Sequence, residues 1–372
     1  MVELEKCTGC SACFAICPKH CIDMQESDDG FLYPQINKDE CINCGLCERV
    51  CPIEKESIVP FEQKYYVSYN KDKVRHKKSS SGGMFIEFSD WILNQGGVVI
   101  GAAFDDQFNL KHMAATDILS RDKMLGSKYL QSDLRTCFEV IYKSLLNSQL
   151  VLFSGTACQI AGVKEYLKCK KQSDELLYTV EIICHGVASP SFFADFLKRD
   201  TEGKVLQSVS FTNKSKQNEI KGFYRKYSDG TEKYTRFYDT SYGKFFLRNY
   251  TLRESCYKCQ YSKYDHKISD IVIGDLWGKN IQTCEIKNEL GVSVVIVNSS
   301  KGAHLFQKVC NQICFKECEV QDILQPNLLN ASERPTKRSR FWQDYKKYPY
   351  PFFERKWEFI VLLEKIKRRI FN

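Results

Sequence analysis

An α+β domain fused to an α/β domain with a mixed sheet, followed by a helical basic tail, is the fold class that the sequence predicts. Three observations predict it. Eight of the 19 cysteines fall between residues 7 and 51 in one repeated rhythm, which marks off a small N-terminal unit. After residue 62, apolar runs of strand length end on small polar turns that open helices, the alternation of an α/β sheet. From residue 331 the chain turns basic and aromatic and closes on an amphipathic helical pattern.

The N-terminal unit reads Cys7-Thr-Gly-Cys10-Ser-Ala-Cys13-Phe-Ala-Ile-Cys17-Pro18, then Cys41-Ile-Asn-Cys44-Gly-Leu-Cys47-Glu-Arg-Val-Cys51-Pro52. This is the C-x2-C-x2-C-x3-C-P run of bacterial two-cluster ferredoxins, present twice. Three closely spaced thiolates on a tight loop can take three corners of one cubane. The fourth cysteine, held beside a helix-breaking proline, points at the other cluster. Cys7, Cys10, Cys13 and Cys51 are therefore expected to hold one 4Fe–4S cluster, and Cys41, Cys44, Cys47 and Cys17 a second. Zinc sites typically pair two C-x2-C units, so this rhythm speaks against zinc and against a disulfide scaffold. Asp29-Gly30, between two alternating runs, predicts a hairpin inside a 34-residue repeat. Cys21 reads as a small apolar side chain beside a cluster. The ferredoxin-type domain is set at 1–58, with a polar linker over 54–64.

At 372 residues and 43% hydrophobic, the chain can bury one large core or two smaller ones. No signal peptide precedes Met1, and thiolate ligands with many free thiols need a reducing compartment, so a cytoplasmic location is expected. No apolar run approaches the ~18 residues of a spanning helix. The formal charge of +8 is partly offset by anionic clusters. No basic–aromatic recognition module is present, so nucleic acid is not an expected partner.

The second domain, 62–330, opens with a strand at Tyr65 to Tyr69. Ser79-Ser-Ser81-Gly82-Gly83-Met84 then leads into a helix over Phe85 to Leu93. Serines and glycines at a helix start offer unpaired amides to an anion, although serine is also the ordinary helix cap. Gly96 to Phe104 reads as a buried strand, and Gly126-Ser-Lys128-Tyr129 precedes a helix at about 133–147. Gln149 to Phe153 is a strand ending on Ser154-Gly-Thr156-Ala-Cys158-Gln159, with a helix through Leu167. Tyr178 to Ile183 repeats the plan, ending on Cys184-His185-Gly186 before a helix begun by Ser189-Pro190. Such folds place their chemistry at the carboxyl ends of strands, where Cys158 and Cys184 sit. Residues 205–250 predict a small antiparallel sheet with a Ser228-Asp229-Gly230 turn. Cys256-Tyr-Lys-Cys259 follows, then strands in Asp270 to Gly278 and Gly291 to Val297, and a helix at 301–313. Cys310, Cys314 and Cys318 fall at helical spacing and read as core or incidental cysteines, and Cys284 is one of those scattered without a disulfide-scaffold rhythm. In the tail, 331–372, Arg334, Lys337, Arg338 and Arg340 precede the aromatic Tyr348 to Phe353 and an amphipathic helix from Trp357 to Phe371. Such a helix packs on its own domain, on a sister subunit in a homo-oligomer, or peripherally on the anionic inner face of a membrane.

Taken in order, the cysteine pair, Ser80-Ser-Gly-Gly-Met-Phe85, Gly126-Ser-Lys-Tyr129, Ser154-Gly-Thr-Ala-Cys-Gln-Ile160, Ile183-Cys-His-Gly186, Cys256-Tyr-Lys-Cys259 and Ser269 to Gly278 resemble the coenzyme F-420 hydrogenase/dehydrogenase beta-subunit family, in its ferredoxin-headed form. The resemblance implies an α/β flavoprotein domain carrying FAD, related to deazaflavin-reducing subunits and to 7-hydroxymethyl chlorophyll a reductase. Many relatives of this form resemble accessory proteins of polysaccharide biosynthesis clusters. Ala157 stands where the family pattern has proline, which loosens that turn and leaves the thiol. With the resemblance, Ser81, Gly82, Gly83 and Lys128 become candidates for the flavin phosphates and Thr156 for the isoalloxazine ring. Cys158, Cys184, Cys256 and Cys259 make a candidate four-thiolate cage for a third 4Fe–4S cluster, with zinc as the rival occupant.

The expected function is a flavin-dependent iron–sulfur oxidoreductase that passes electrons between clusters and flavin, and on to an organic acceptor or donor the sequence does not name. A ferredoxin or a reductase is the expected redox partner. The rival classes are an electron-transfer subunit without its own substrate, and an accessory partner protein that keeps its clusters as structure.

Overall fold

The computed structural model describes residues 2–53, 55, 61–212, 214, 221–277 and 286–371, with the side chains of 221 and 367–371 excepted. The domain boundary at 58, most of the linker, Gly278 and Cys284 lie outside the described residues.

In the N-terminal unit, β1 (Ile22–Glu26) and β2 (Leu32–Ile36) pair antiparallel, with Ile22 opposite Ile36, around the Asp29-Gly30 turn. The 34-residue repeat shows in the backbone. Ser11 and Gly45 hold equivalent places and are both left-handed, at φ 63° and 69°, each opening a short helix (Ala12–Ile16 and Leu46–Arg49).

The remaining strands are β3 (Lys64–Asn70), β4 (Val98–Phe104), β5 (Leu110–Ala115), β6 (Val151–Gly155), β7 (Leu177–Ile182), β8 (Leu206–Thr212), β9 (Lys221–Tyr227), β10 (Glu232–Arg236), β11 (Ile271–Asp275), β12 (Ser293–Val297) and β13 (Ile313–Cys318). Eight of them form one mixed sheet in the order β13-β3-β12-β11-β7-β6-β4-β5. Its centre is parallel, β4 to β6 to β7 to β11, and its flanks are antiparallel. The central strands are near-continuous apolar runs such as Val151-Leu-Phe153 because helices cover both faces. Cys137–Leu146 and Ala157–Cys169 cover one face. Met84–Asn94 and Ser300–Val309 cover the other. Residues 313–318 are edge strand β13, not the end of a helix: the helix stops at Val309, and Cys314 and Cys318 pair opposite Tyr69 and Tyr65 of β3.

Two packing events place the site. Cys10, Ala12, Ile16 and Val50 share a core with the helix Ala157–Cys169, so the N-terminal unit is docked on the sheet's helical layer. A Cβ at Gly162 of that helix would stand 2.9 Å from Cys10 Sγ. The three-stranded sheet β10-β9-β8 and the helices Pro190–Asp200, Arg338–Lys347 and Tyr350–Phe371 enclose a second, aromatic core. Phe341, Phe353 and Trp357 are fully buried there. At roughly 1.5–3 kcal/mol for each large apolar side chain, these three tie the tail firmly to the domain.

Candidate functional site

Cys7, Cys10, Cys13 and Cys51 line one small cavity of about 30 Å³. Cys17 packs instead with Cys41 and Cys47, while Cys44 is exposed. Cys51 thus sits with the first run and Cys17 with the second, while Cys47 also lines the first cavity and Cys13 also packs against the second group. Cys21 joins the second group, its Sγ 3.5 Å from that of Cys17. Burial pushes the Cys10 thiol up to about 12, and the neighbouring Cys7, Cys51 and Cys158 push in the same direction.

The named members of the core cage come from three turns. Cys158 lies in the first turn of the helix after β6, and Cys184 lies two residues past β7. Cys256 sits within, and Cys259 just after, the short 3-10 turn Glu254–Lys258. All four line one cavity of about 260 Å³. Thr156 Oγ1 lies 3.2 Å from Cys158 Sγ, and the Gly186 amide donates to Cys184 Sγ at 3.3 Å. Burial pushes the Cys158 and Cys184 thiols upward, and the crowding of the other cage sulfurs pushes them further. Cys256 rises to about 11 for the same first reason. Four half-buried thiols that resist ionisation together fit a cationic occupant, which would draw off their protons. Tyr261 is buried where the fields of Cys10, Cys158 and Cys259 meet, between this cage and the first N-terminal set.

Above the carboxyl ends of β6, β7 and β11 lies a cavity of about 270 Å³. Ser81, Gly83, Lys128 and Thr156 line it, with Met84 and Phe85 at the helix start and half-exposed Trp277. Thr156, Cys184, His185, Gly186, Val187 and Asn327 line this cavity and the thiol cage alike, so one turn separates the two.

Two expected residues are placed differently. Gly82 does not present an amide to the cavity: its N–H donates to Ser293 Oγ at 2.9 Å, and a Cβ there would stand 2.3 Å from Ser68 O. It is glycine so that the loop can lie against β3 and β12. Lys128 faces the cavity, but its Nζ donates to the carbonyls of Met124 (2.8 Å), Leu125 (2.8 Å) and Gly126 (3.1 Å). Burial pushes its ammonium down to about 7, while three carbonyl acceptors match the three N–H bonds of the cation. Its charge reaches the cavity as a field and not as a free donor.

Three residues not anticipated from sequence complete the site. Lys214 is buried and donates to Ser81 O, bringing a second cation to the serine loop. His112 Nε2 meets Ser154 O at 3.0 Å and its Nδ1 meets Ser132 Oγ at 2.9 Å. Ser132 accepts in turn from Gln159 Nε2, and Gln159 Oε1 accepts the Thr156 amide. Burial pushes His112 down to about 4, so it is neutral, and this chain sets the Thr156 turn. His185 Nε2 makes no hydrogen bond among the described residues, although Asn249 and Asn327 face the ring. No local motif marks Lys214 or His112; His185 lies inside a motif read for its cysteine.

A larger cavity of about 590 Å³ lies between the N-terminal unit, the β4–β5 turn and the helix Pro190–Asp200. It shares Leu110, Leu130 and Ser132 with the smaller one. Its cations are largely neutralised: Arg135 by Asp133, Lys111 by Asp105, Lys204 by Asp229.

Comparison with known proteins bears on both halves of this arrangement. Residues 148–323 match the C terminus of the coenzyme F420 hydrogenase/dehydrogenase beta subunit, and residues 6–55 match the 4Fe-4S dicluster domain. A 7Fe ferredoxin of Hydrogenibacillus schlegelii is 40% identical over 76 residues, 19% of this chain and 91% of the ferredoxin. A ferredoxin of Mycolicibacterium smegmatis is 34% identical over 82 residues, 21% of this chain and 73% of that one. A chain of the F420-reducing [NiFe] hydrogenase complex from Methanosarcina barkeri superposes with a TM-score of 0.48 at 15% identity, over 78% of this chain and 91% of its own. The chain is an iron–sulfur electron-transfer protein related to the coenzyme F420 hydrogenase/dehydrogenase beta subunit, with a 4Fe-4S dicluster domain at its N-terminal end.

Proposed function

We propose that the chain is an iron–sulfur flavoprotein oxidoreductase, with three 4Fe–4S clusters and one FAD, that oxidises or reduces a small organic molecule. The observation that carries this reading is the shared wall: a cage of four thiols and a ligand-sized cavity have Thr156, Cys184, His185, Gly186, Val187 and Asn327 in common. A bound flavin would supply the exchange between single electrons and a hydride pair. The chain's own part is to hold and to insulate. Ser80, Ser81 and the first turn at Met84 offer amides to phosphate, with Lys128 and Lys214 as positive background. The His112–Ser132–Gln159 chain fixes Thr156 against the ring end of the cavity. His185 has ring-nitrogen capacity to spare for a bound group.

For the cage, a polynuclear cluster is preferred to zinc because the helix that carries Cys158 packs against the N-terminal unit, whose match is to a 4Fe-4S dicluster domain. Anaerobic purification should yield about twelve irons and one flavin per chain, from three cubanes. Eight irons without flavin would leave a plain electron carrier in its place.

The tail supports a peripheral membrane contact. Phe352, Phe359, Leu362, Leu363 and Ile366 are each 42–60% exposed on the face of the last helix opposite buried Phe353, Trp357 and Val361. Its acids are held by the domain, Glu354 by Ser241, Glu358 by Lys244 and Glu364 by Lys337. Arg355 and Lys365 stay exposed, so the outward face is apolar and basic, the pattern that binds anionic lipid. The protein should sediment with phosphatidylglycerol vesicles and not with phosphatidylcholine ones, and Phe359→Glu should release it. Equal binding to neutral vesicles, or dimerisation through this face, would refute the contact.

A further inference from the structure

Arg253 is a buried cation whose counter-charge is not among the described residues. It is fully buried. The other buried arginines have carboxylate partners: Arg121 with Asp90 at 2.6 Å, Arg225 with Asp200 at 2.8 Å and Arg338 with Glu254 at 2.6 Å. Arg253 meets only neutral oxygens and a sulfur. Its Nε donates to Cys7 O at 2.7 Å and its Nη1 to Gln131 Oε1 at 2.9 Å. Its Nη2 donates to Leu32 O at 3.0 Å and to Cys7 Sγ at 3.7 Å. The guanidinium lies over the Tyr33 ring at 4.0 Å. Among the described residues no carboxylate comes within ion-pair distance of it. Burying a charge in this way is unfavourable unless an opposite charge is supplied.

We infer that Arg253 is the counter-ion of the inner cluster, the one on Cys7, Cys10, Cys13 and Cys51, and that it holds that cluster at a higher reduction potential than its twin. The inference rests on this ligand assignment. A cubane with four thiolates is anionic, and taking up one electron, without a proton, adds one more negative charge. A fixed guanidinium at the ligand sulfur favours the reduced form, since hydrogen bonds and charge at the sulfurs set cluster potentials. The repeat makes the effect one-sided. Among the described residues Cys41, the counterpart of Cys7, meets the exposed amide and side chain of Asn43 and the Cys21 thiol at its sulfur, and no arginine. An electron arriving at the outer set is therefore drawn to the inner one, which packs against the helix that carries Cys158. Arg253 is also a mechanical link: its own amide donates to Val187 O, and its carbonyl accepts from the Cys256 amide, both in the cage wall. It acts as a positioning residue for electron transfer.

The test is an anaerobic potentiometric titration of the full chain with dithionite, followed by electron paramagnetic resonance and paired with iron counts. Cys13→Ser identifies the inner signal by the loss of about four irons. Arg253→Gln should lower the inner midpoint by at least 59 mV, a tenfold change in reduced-to-oxidised ratio for one electron, and leave the outer midpoint in place. Arg253→Lys should recover half of that shift or more. Gln131→Glu keeps the arginine and supplies the absent carboxylate, and it should lower the inner midpoint as well; this variant decides the matter if Arg253→Gln does not fold. An unchanged iron count in Cys13→Ser overturns the ligand assignment and the inference with it. Full iron with unmoved midpoints in Arg253→Gln or Gln131→Glu overturns the inference alone.

Discussion

Cys259→Ser in the full chain is expected to remove about four irons of roughly twelve and to leave the N-terminal eight in place. The expectation follows from separate anchoring. Cys259 lines the cage with Cys158, Cys184 and Cys256, and none of these lines the cavity of the first N-terminal set. A serine hydroxyl at that position is a poor partner for iron. The remaining three thiols would return to the protonated state that burial favours. The backbone should tolerate the exchange, because Cys259 caps a short 3-10 turn and its carbonyl still receives the Ser262 hydroxyl. Nearby, the buried Glu181–Lys267 pair at 2.7 Å holds the wall independently of the sulfur. Iron and sulfide counts, with the visible spectrum, check the result. Twelve irons retained would show that Cys259 is not a ligand. Zinc released from the wild-type cage in place of iron would remove the electron path through the core.

How much of this was legible in the sequence depended on how local each constraint is. The two cysteine runs are complete within about 45 residues, and their spacing alone predicts a crossed pair of ligand sets; the fold brings Cys51 to the first run and Cys17 to the second. The parallel centre of the sheet was equally readable, since strands buried on both faces are plain apolar runs. Edge strands carry no such mark. Neither β5, with Lys111 and His112 in it, nor β13, whose cysteines fall at helical spacing, was anticipated. Cys310, Cys314 and Cys318 recur every four residues, which keeps a side chain on one face of a helix and on one face of a strand alike. Gly82 was misread because the atoms it must clear, Ser68 O and Ser293 N, come from strands far away in the chain. The same holds for Arg253, whose partners are Cys7, Leu32 and Gln131. A tertiary contact between distant segments leaves no pattern in a single sequence.

Gly83→Asp is expected to abolish flavin binding while Gly83→Asn keeps most of it. Gly83 precedes the helix Met84–Asn94 with φ at 91°, a conformation that asparagine and aspartate tolerate better than other side chains. A Cβ there would stand 3.2 Å from Asn70 Cβ and 3.3 Å from Ser79 Oγ, so the neighbours must give by a few tenths of an ångström in either variant. Aspartate and asparagine are both good residues at a helix start, so neither should unravel the helix. The two variants thus share their steric cost and differ by one charge. If the loop cradles the flavin phosphates, a carboxylate about 4 Å from them at an effective dielectric constant of ~20 costs about 4 kcal/mol. That is about a thousandfold in affinity, enough to strip a flavin during purification. Flavin released on denaturation, measured against protein and against iron, reads the outcome, with N-terminal iron expected to stay constant. Retention of flavin in Gly83→Asp would place the phosphates elsewhere, and equal loss in both variants would trace the effect to backbone strain and not to charge.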